Sequence, residues 1–334
     1  MPNDMTACID AWLKRCADPK LDALQGMAEA GLLAPADSYA AIARTKAALV
    51  ERTGLPGVAG VWGGRQMVAR WFIACFGNDD QRAAWLHRTA AVAISEPRVG
   101  AHPKLLTTRA EPDGEGFRIS GEKAWVSNGP LADVFVVLAI TAEEQGRKRY
   151  SALLVPCDAH GVTLKTMPAF DALRPSQHCG LLLEGVHVPR SALLQPKDAA
   201  YDTMALPFRD VEDAVGAFSL LGGFRFLLAR LASHKTGDDA AASLGAISAL
   251  VAVFAEAADS VVAALDADAL AGKAASLAGL HVLAAEIAVR IRALWPEHDT
   301  DAAAYALLRD IDVLLSVAKG PRQARLVRIG RQAG

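Results

Sequence analysis

The sequence predicts an α+β protein in which an N-terminal helical domain, a central β-barrel or β-sandwich and a C-terminal four-helix bundle follow one another. The apolar pattern changes from helical spacing to short separated runs near residue 91, and it returns to helical spacing near residue 197. The 334 residues are too many for one core, and their 52% hydrophobic content can fill several. We therefore place the domains at residues 1–90, 91–196 and 197–334.

Residues 1–90 are predicted to be helical because their apolar side chains recur every three or four positions. The clearest segments are ADSYAAIARTKAALVERT, GRQMVARWFIACFG and DDQRAAWLHRT. Asn78 directly precedes the last segment, which begins with Asp79 and Asp80. This order is typical of a helix cap followed by an acidic first turn, so a helix is expected to begin there.

The central part is predicted to consist of strands, because its apolar runs are short and turn residues separate them. The runs include AVAIS, FRIS, EKAWVS, DVFVVLAI, YSALLV and LLLEGVHV, and PDGEG and SNGP lie between some of them. Many short strands with Gly and Pro between them favour a barrel or a sandwich.

The C-terminal part is rich in alanine and leucine, and its helical spacing persists almost to the end of the chain. Helices are expected near residues 203–233, 239–266, 268–294 and 300–318, followed by a short basic tail. Their number and lengths fit an antiparallel four-helix bundle.

The composition excludes several classes of protein. A net charge of −2 leaves no general basic surface for nucleic acid. Five dispersed cysteines without a CxxC pair indicate reduced thiols in a cytoplasmic protein, without a zinc site. The N-terminus lacks the pattern of a secretory signal. The longest uncharged stretch, Ala240 to Ala255, is shorter than the roughly 20 residues of a bilayer span, so a buried bundle helix is expected there.

Two stretches of the β-domain carry a specific resemblance. The first is Ala93-Ile94-Ser95-Glu96-Pro97, with Gly100 shortly after it, and the second is GEKAWVSNG at residues 121–129. This pair, with Ser95 and Trp125 30 positions apart, resembles the flavin-binding core of the acyl-CoA dehydrogenase family. The segment LLLEGVHVPRSALL at residues 181–194 and, more weakly, Arg309-Asp310 are also similar to that family.

The resemblance implies a fold, a cofactor and a reaction. It implies FAD with its ring between the β-domain and the bundle, a homodimer or homotetramer formed through the bundle, and α,β-dehydrogenation of an acyl-CoA. An electron-transfer protein would then accept the electrons. It also implies that the N–H groups of Ile94 and Ser95 stabilise charge on the flavin, that Ser127 hydrogen-bonds flavin N5, and that Trp125 shields the ring.

The catalytic base is the main departure from the family pattern. Family members commonly place a glutamate just before Gly-Thr near the C-terminus, whereas this chain has Lys319 or Ala318 there, depending on the register. Other members carry the glutamate on the first bundle helix, which corresponds here to Glu212 or Asp213. An acidic surface near a helix start is the alternative interpretation of these two carboxylates.

The cofactor and substrate contacts also depart from the family. The glycine loop expected before Arg309 and the motif expected at residues 234–237 are missing, while Gln323 remains as a cofactor contact. Arg322 and Arg325 could supply charge to the pyrophosphate, or they could belong to a solvated basic surface. Gly100 and Ala101 are the expected substrate contacts, although Ala101 cannot donate the hydrogen bond of the family's serine.

The sequence is therefore compatible with three functions. The first is the FAD-dependent acyl-CoA dehydrogenase. The second is a flavin oxidase or monooxygenase of the same fold that acts on a substrate without coenzyme A. The third is a flavin-free relative without catalytic activity that serves as a partner subunit. Bound yellow cofactor distinguishes the third function from the other two.

Overall fold

The fold is that of an α+β protein, as the sequence predicts. The computed structural model describes residues 5–20, 24–167, 172–234, 237–296 and 300–332. Helices precede the first strand, which begins at Ala90, and helical structure returns at Tyr201 after the last strand. Both transitions lie within a few residues of the expected ones, whereas the division into separate domains stays a prediction.

The N-terminal helices form where the apolar spacing predicts them. Ser38 caps α2 by accepting a hydrogen bond from the Ala41 N–H at 3.0 Å. Asn78 and Gln81 form a reciprocal capping box at the start of α4, which confirms the expected helix start. The helices are α1 (Met5–Leu13), α2 (Tyr39–Thr53), α3 (Pro56–Val68) and α4 (Asp79–Trp85).

The strands of the described residues form one seven-stranded sheet. Its order is β1-β4-β2-β3-β7-β6, and β5 pairs with β4. Strand β1 runs parallel to β4, whereas β3 and β7 form a long antiparallel pair whose register shifts between Lys123 and Val126. The strands are β1 (Ala90–Ala93), β2 (Arg109–Asp113), β3 (Gly116–Ser127), β4 (Val134–Glu144), β5 (Arg147–Pro156), β6 (Val162–Thr166) and β7 (His178–Pro189).

The C-terminal helices follow the expected ranges, with one correction. The basic tail, expected as a short extension after the bundle, forms a helix of its own, α9. A π-helical turn, Tyr201–Ala205, leads into α5. The helices are α5 (Leu206–His234), α6 (Asp238–Asp266), α7 (Ala274–Leu294), α8 (Ala302–Ser316) and α9 (Lys319–Gln332).

Helix α6 is much less buried than the sequence suggests. Only one stripe, which includes Ile247, Val251 and Phe254, packs into the core, and Val253 is exposed. The expectation of a buried helix is therefore wrong for most of its surface. By length and composition alone, the helical segments Tyr201–Ser233, Asp238–Asp266 and Leu270–Leu294 could each cross a membrane, so the absence of a membrane span stays a prediction.

Helices α2 and α5 approach each other at backbone distance. A Cβ atom on Gly222 would lie 2.2 Å from the carbonyl oxygen of Ala47, so only glycine fits there. This close contact sets the position of α5 against the N-terminal helices, and the N-terminal part of α5 faces the β-domain.

Candidate active site

A cavity of about 520 Å³ lies where α3, the segment after β1, the end of β3 and the start of α5 meet. We call it the central cavity. Its volume is in the usual range for small-molecule and cofactor sites. Its lining residues are Gly64, Met67, Val68, Ala90, Val92, Ile94, Ser95, Gly100, Ala101, Ala124, Trp125, Ser127, Asn128, Tyr201, Ala205, Phe208, Arg209, Glu212, Val317, Ala318 and Pro321.

The fold brings the two β-domain motifs together on this wall. The Ala124 N–H donates a hydrogen bond of 2.8 Å to the carbonyl oxygen of Ser95, which joins the segment after β1 to β3. Ile94, Ser95, Trp125 and Ser127 consequently line one cavity. The sequence-predicted cofactor contacts of the β-domain are therefore neighbours, although their individual roles stay predictions.

A buried ion pair lies beneath this wall. Lys123 Nζ donates to Glu96 Oε1 at 3.0 Å and to the carbonyl oxygen of Ile94 at 3.2 Å, and both charged side chains are buried. Glu96 also accepts hydrogen bonds from the N–H groups of Thr107 and Thr108. Burial alone raises the pKa of Glu96, but Lys123 and these donors outweigh it and hold the pKa at about 2. The pair therefore connects the motif that contains Ser95 to the motif that contains Trp125.

Trp125 owes its orientation to the irregularity in β3. Its φ of 59° lies in the left-handed region, which is unusual for a bulky residue. The β3–β7 register also shifts at this position, and an irregularity of this kind redirects side chains. Trp125 is therefore 51% exposed at the cavity, where its ring packs edge-on against His178 with centroids 6.2 Å apart.

Asn128 brings an unsatisfied acceptor to the cavity. Its Nδ2 donates to the carbonyl oxygen of Val61 on α3 at 2.9 Å, while its buried Oδ1 has no hydrogen-bond partner among the described residues. A Cβ on Gly64 would lie 2.9 Å from Asn128 Nδ2, so glycine allows this approach without displacing the amide. A buried acceptor without a partner is costly, and it suits a ligand that donates a hydrogen bond.

Glu212 is the carboxylate that faces the central cavity. Its side chain is accessible to water in the cavity, but protein atoms surround the site closely and leave the carboxylate poorly solvated. This burial raises its pKa to about 7, and the charge of Asp213 acts in the same direction. The cations Lys46, Arg209 and Arg322 oppose the rise. A carboxylate with this pKa can take up a proton near neutral pH.

Asp213 does not line the cavity and is bound to two arginines and a histidine. Its oxygens lie 2.9 Å from Arg322, 3.1 Å from Arg325 and 3.4 Å from His281. Arg325 also contacts Asp210. The alternative expectation, that Asp213 and not Glu212 is the base, is therefore not supported by its position. Its contacts indicate that it anchors α9 to α5 and α7.

Replacing Asp213 by asparagine is expected to loosen α9. The change leaves two largely buried guanidinium groups, 17% and 11% exposed, without their carboxylate, which costs about 3 kcal/mol of unfolding free energy. Urea unfolding measures the loss, and hydrogen exchange should show it first in residues 319–332. Asp259→Asn is the matched control, since it removes an exposed pair with Arg44 and should cost less than about 1 kcal/mol. Equal losses in the two variants would contradict the anchoring role.

The basic helix α9 does not bring its predicted cofactor contacts to the cavity. Arg322 and Arg325 are held by Asp210 and Asp213, so the expectation that they are available to a pyrophosphate is not supported. Gln323 is exposed on another face of α9 and does not line the central cavity, so its contact with FAD stays a prediction. Lys235 and Thr236, in the weakly matching stretch 234–237, lie outside the described residues.

The segment between α8 and α9 corresponds to the position of the family's usual C-terminal glutamate. Val317, Ala318 and Pro321 line the cavity, whereas Lys319 is exposed and does not. Gly100 and Ala101, the predicted substrate contacts, line it as well. Glu212 therefore has no competing carboxylate from this segment.

A second cavity of about 620 Å³, which we call the hairpin cavity, adjoins the first, and Tyr201 lines both. Lys104 and Arg147 line it without any ion pair to the described part of the chain. Lys148 Nζ is held by the carbonyl oxygens of Lys104 and Leu106 at 2.9 and 2.8 Å. Its lining residues are Pro103, Lys104, Gly146, Arg147, Lys148, Arg149, Tyr150, Tyr201 and Asp202.

The hairpin cavity and the position of Asn128 in the wall of the central cavity could not be predicted from the sequence. The run Arg147-Lys148-Arg149 is a visible basic cluster in the sequence, but nothing in its spacing shows that it meets Lys104 and Tyr201. Asn128 directly follows Ser127 in the motif, and its burial against α3 depends on a contact between residues 67 positions apart.

The fold and the site define a class of protein, a helical–β–helical protein with a ligand cavity between its β-domain and its helices. Residues 91–186 match the family described as "Acyl-CoA dehydrogenase, middle domain". The acyl-CoA dehydrogenase FadE12 of Mycobacterium tuberculosis is 32% identical over 169 residues, which are 48% of this chain and 43% of that protein. The chain thus aligns with less than half the length of this relative.

Solved structures extend the likeness of fold to the whole chain. A glutaryl-CoA dehydrogenase from Mycobacterium smegmatis, in complex with FADH2, is 19% identical, with a TM-score of 0.78 over 99% of this chain and 93% of that one. A probable acyl-CoA dehydrogenase from Mycobacterium abscessus is 17% identical, with a TM-score of 0.82 over 99% and 98%. The match of residues 91–186 and these likenesses of fold together support a member of the acyl-CoA dehydrogenase family.

Proposed function

We propose that the protein is an FAD-dependent acyl-CoA dehydrogenase that removes the α-proton and the β-hydride from an acyl-CoA thioester. The main support for this proposal is that Glu212 faces the same cavity as Ser95, Trp125 and Ser127. The base and the motif resembling a flavin site thus share one space. The chain's similarity to an acyl-CoA dehydrogenase and to a glutaryl-CoA dehydrogenase supports the same chemistry.

The residues of the central cavity suit the flavin ring. Trp125 offers an exposed flat face, Ser127 is an exposed hydroxyl, and the unpartnered Oδ1 of Asn128 can accept a hydrogen bond from a ring N–H. When bound, FAD would accept the hydride from the substrate, which balances the loss of the proton. Arg322 and Arg325 are hydrogen-bonded to the Asp213 carboxylate, so we do not assign them to the pyrophosphate of FAD.

Glu212 performs the proton transfer in this proposal. The carboxylate takes the α-proton from the substrate, and the apolar walls formed by Met67, Val68 and Phe208 exclude water from the reacting carbons. Because burial raises the pKa of Glu212 to about 7, the basic form is the minority below that pH. The rate of substrate oxidation should therefore rise as the pH passes through about 7.

The hairpin cavity supports coenzyme A as the carrier of the substrate. It adjoins the central cavity at Tyr201, and its exposed cations Lys104 and Arg147 are available to an anion. Phosphate groups bind best to such cations through charge-assisted hydrogen bonds. We place the nucleotide phosphates of acyl-CoA at this cavity, with the thioester directed towards Glu212.

Replacing Lys104 and Arg147 by glutamine should weaken acyl-CoA without impairing the chemical step. Each lost charge-assisted hydrogen bond raises the half-saturating concentration about tenfold. The maximal rate of flavin reduction should be unchanged, as should the half-saturation by the corresponding acyl-pantetheine, which lacks the nucleotide. Arg109→Gln is the matched control, since Arg109 pairs with Glu143 and does not line the cavity. Equal weakening of both substrates would exclude the phosphate role.

Assembly and electron transfer complete the proposal. Exposed valines on α6 and α7, such as Val253, Val282 and Val289, give the bundle an apolar outer surface suited to a homodimer or homotetramer. An electron-transfer protein would reoxidise the enzyme. Light scattering of the purified protein distinguishes the oligomeric states.

The first experiment is the visible spectrum of the protein after incubation with FAD and gel filtration, followed by anaerobic addition of acyl-CoAs of different chain lengths. Flavin bands that travel with the protein and bleach with an acyl-CoA support the proposal. Bands that bleach only with a substrate lacking coenzyme A indicate the oxidase or monooxygenase. A colourless protein contradicts both flavin functions and favours the partner subunit.

A further inference from the structure

Lys46 is a buried lysine that the proposed chemistry does not yet use. It lies on α2, is 5% exposed, and makes no ion pair or hydrogen bond through its side chain among the described residues. A Cβ on Gly63 would lie 2.6 Å from Lys46 Cδ, so the missing side chain of Gly63 makes room for this lysine. The next residue, Gly64, lines the central cavity. Lys46 therefore packs against α3 one residue away from the cavity wall, and we describe it as lying behind this wall.

The charge of Lys46 acts on Glu212 across this wall. Burial lowers the pKa of Lys46 to about 8, and the one charged group that opposes this shift is Glu212. Conversely, Lys46 is the cation that most strongly opposes the rise in the pKa of Glu212. The other charged groups that act on Glu212 are Asp213 and Arg209 on α5 and Arg322 on α9.

The other two cations are differently placed. Arg322 is bound to Asp213, so its charge is largely compensated at close range. Arg209 lies on the same helix as Glu212 and lines the cavity, where water and ligand reach it. Lys46 is desolvated, and its side chain has no ion pair or hydrogen bond within the described part of the chain. The electrostatic effect of such a charge is strong because little water screens it.

We propose that Lys46 is a positioning residue for the base, a cation buried behind the cavity wall that favours the ionised form of Glu212. This inference rests on the proposed function, since Glu212 must be the base for Lys46 to matter in catalysis. The close contact of α2 with α5 at Ala47 and Gly222, next to Lys46 in the sequence of α2, holds the two helices at a constant separation.

The kinetic test compares Lys46→Met and Lys46→Arg. Methionine keeps the length and apolar stem of lysine but removes the charge, so the pH midpoint of flavin reduction by acyl-CoA should move up by about one unit. The rate should fall up to about tenfold at pH 7 and recover by pH 9. Arginine keeps the charge and should restore the midpoint. An equal loss at every pH, or an unmoved midpoint, would overturn the proposal.

A second measurement needs no catalysis, so it separates this inference from the proposed function. The unfolding free energies of the wild type and Glu212→Gln are compared between pH 4 and 9. A raised folded-state pKa means that ionised Glu212 destabilises the protein, so the difference should grow above the ordinary pKa and level off near pH 7. In the Lys46→Met background it should level off at a higher pH. Levelling at the same pH in both backgrounds refutes the role of Lys46, whether or not an acyl-CoA is oxidised.

Discussion

Glu212→Gln is expected to slow the reduction of bound FAD by acyl-CoA by roughly 10²–10⁴-fold, the usual contribution of a general base. Glutamine keeps the shape of the side chain but cannot accept the α-proton. The measurement is the anaerobic bleaching of the flavin at saturating substrate. Binding of FAD should be unchanged, because the cofactor contacts proposed in the cavity lie on other residues.

The same substitution should stabilise the protein, which distinguishes a catalytic defect from a folding defect. Burial raises the pKa of Glu212, so its ionised form is the unfavourable one in the folded state. The stability of the wild type therefore falls as the pH rises from the ordinary glutamate range to about 7, and the variant should escape this loss. Thermal unfolding at pH 8 measures the gain. A variant that is less stable at pH 8 would contradict the assigned environment of Glu212.

Asp213→Asn is the matched control, one residue further along the same helix. Asp213 is bound to arginines outside the cavity, so this variant should lose stability but keep its rate per folded molecule. Assays at low temperature keep it folded. If Asp213→Asn abolished flavin reduction while Glu212→Gln did not, the assignment of the base would be wrong.

Lys123→Met is expected to destabilise the protein by about 3–5 kcal/mol, because it leaves the buried carboxylate of Glu96 without its cation. The pair lies directly under Ile94 and Ser95, so the affinity for FAD should fall as well. Urea unfolding and flavin titration measure the two effects. Because the folded-state pKa of Glu96 is held at about 2, its contribution is present above the ordinary glutamate pKa and is lost as the pH falls towards 2.

The control is a pair of the same residue types at the same distance. Lys165 and Glu122 also lie 3.0 Å apart, but their side chains are 42% and 43% exposed. Lys165→Met should therefore cost less than about 1 kcal/mol. The double variant Glu96→Gln with Lys123→Met should recover part of the loss, since it removes both buried charges. A large loss in Lys165→Met, or none in Lys123→Met, would refute the structural role of the buried pair.

Local sequence patterns were sufficient to predict the helices and strands and the part of the site that the β-domain contributes. The cap at Asn78 and the strand-forming runs depend on residues close together in the chain, so their outcome could be predicted. The motifs around Ser95 and Trp125 could be recognised because each is contiguous. The helical form of the basic tail was missed, since its stability depends on Asp210 and Asp213, which are more than 100 positions away.

The sequence alone determined the order of helices and strands, the family resemblance and a short set of candidate carboxylates. It could not choose between Glu212 and Asp213, because adjacent positions on a helix differ by about 100° in direction and only the neighbouring elements reveal which one faces the cavity. Tertiary structure decided which carboxylate faces the cavity, since α9 binds Asp213 and Glu212 lines the cavity together with residues of the β-domain. It also placed Lys46 behind the cavity wall, because burial and charge proximity arise from packing between helices that are distant in the sequence.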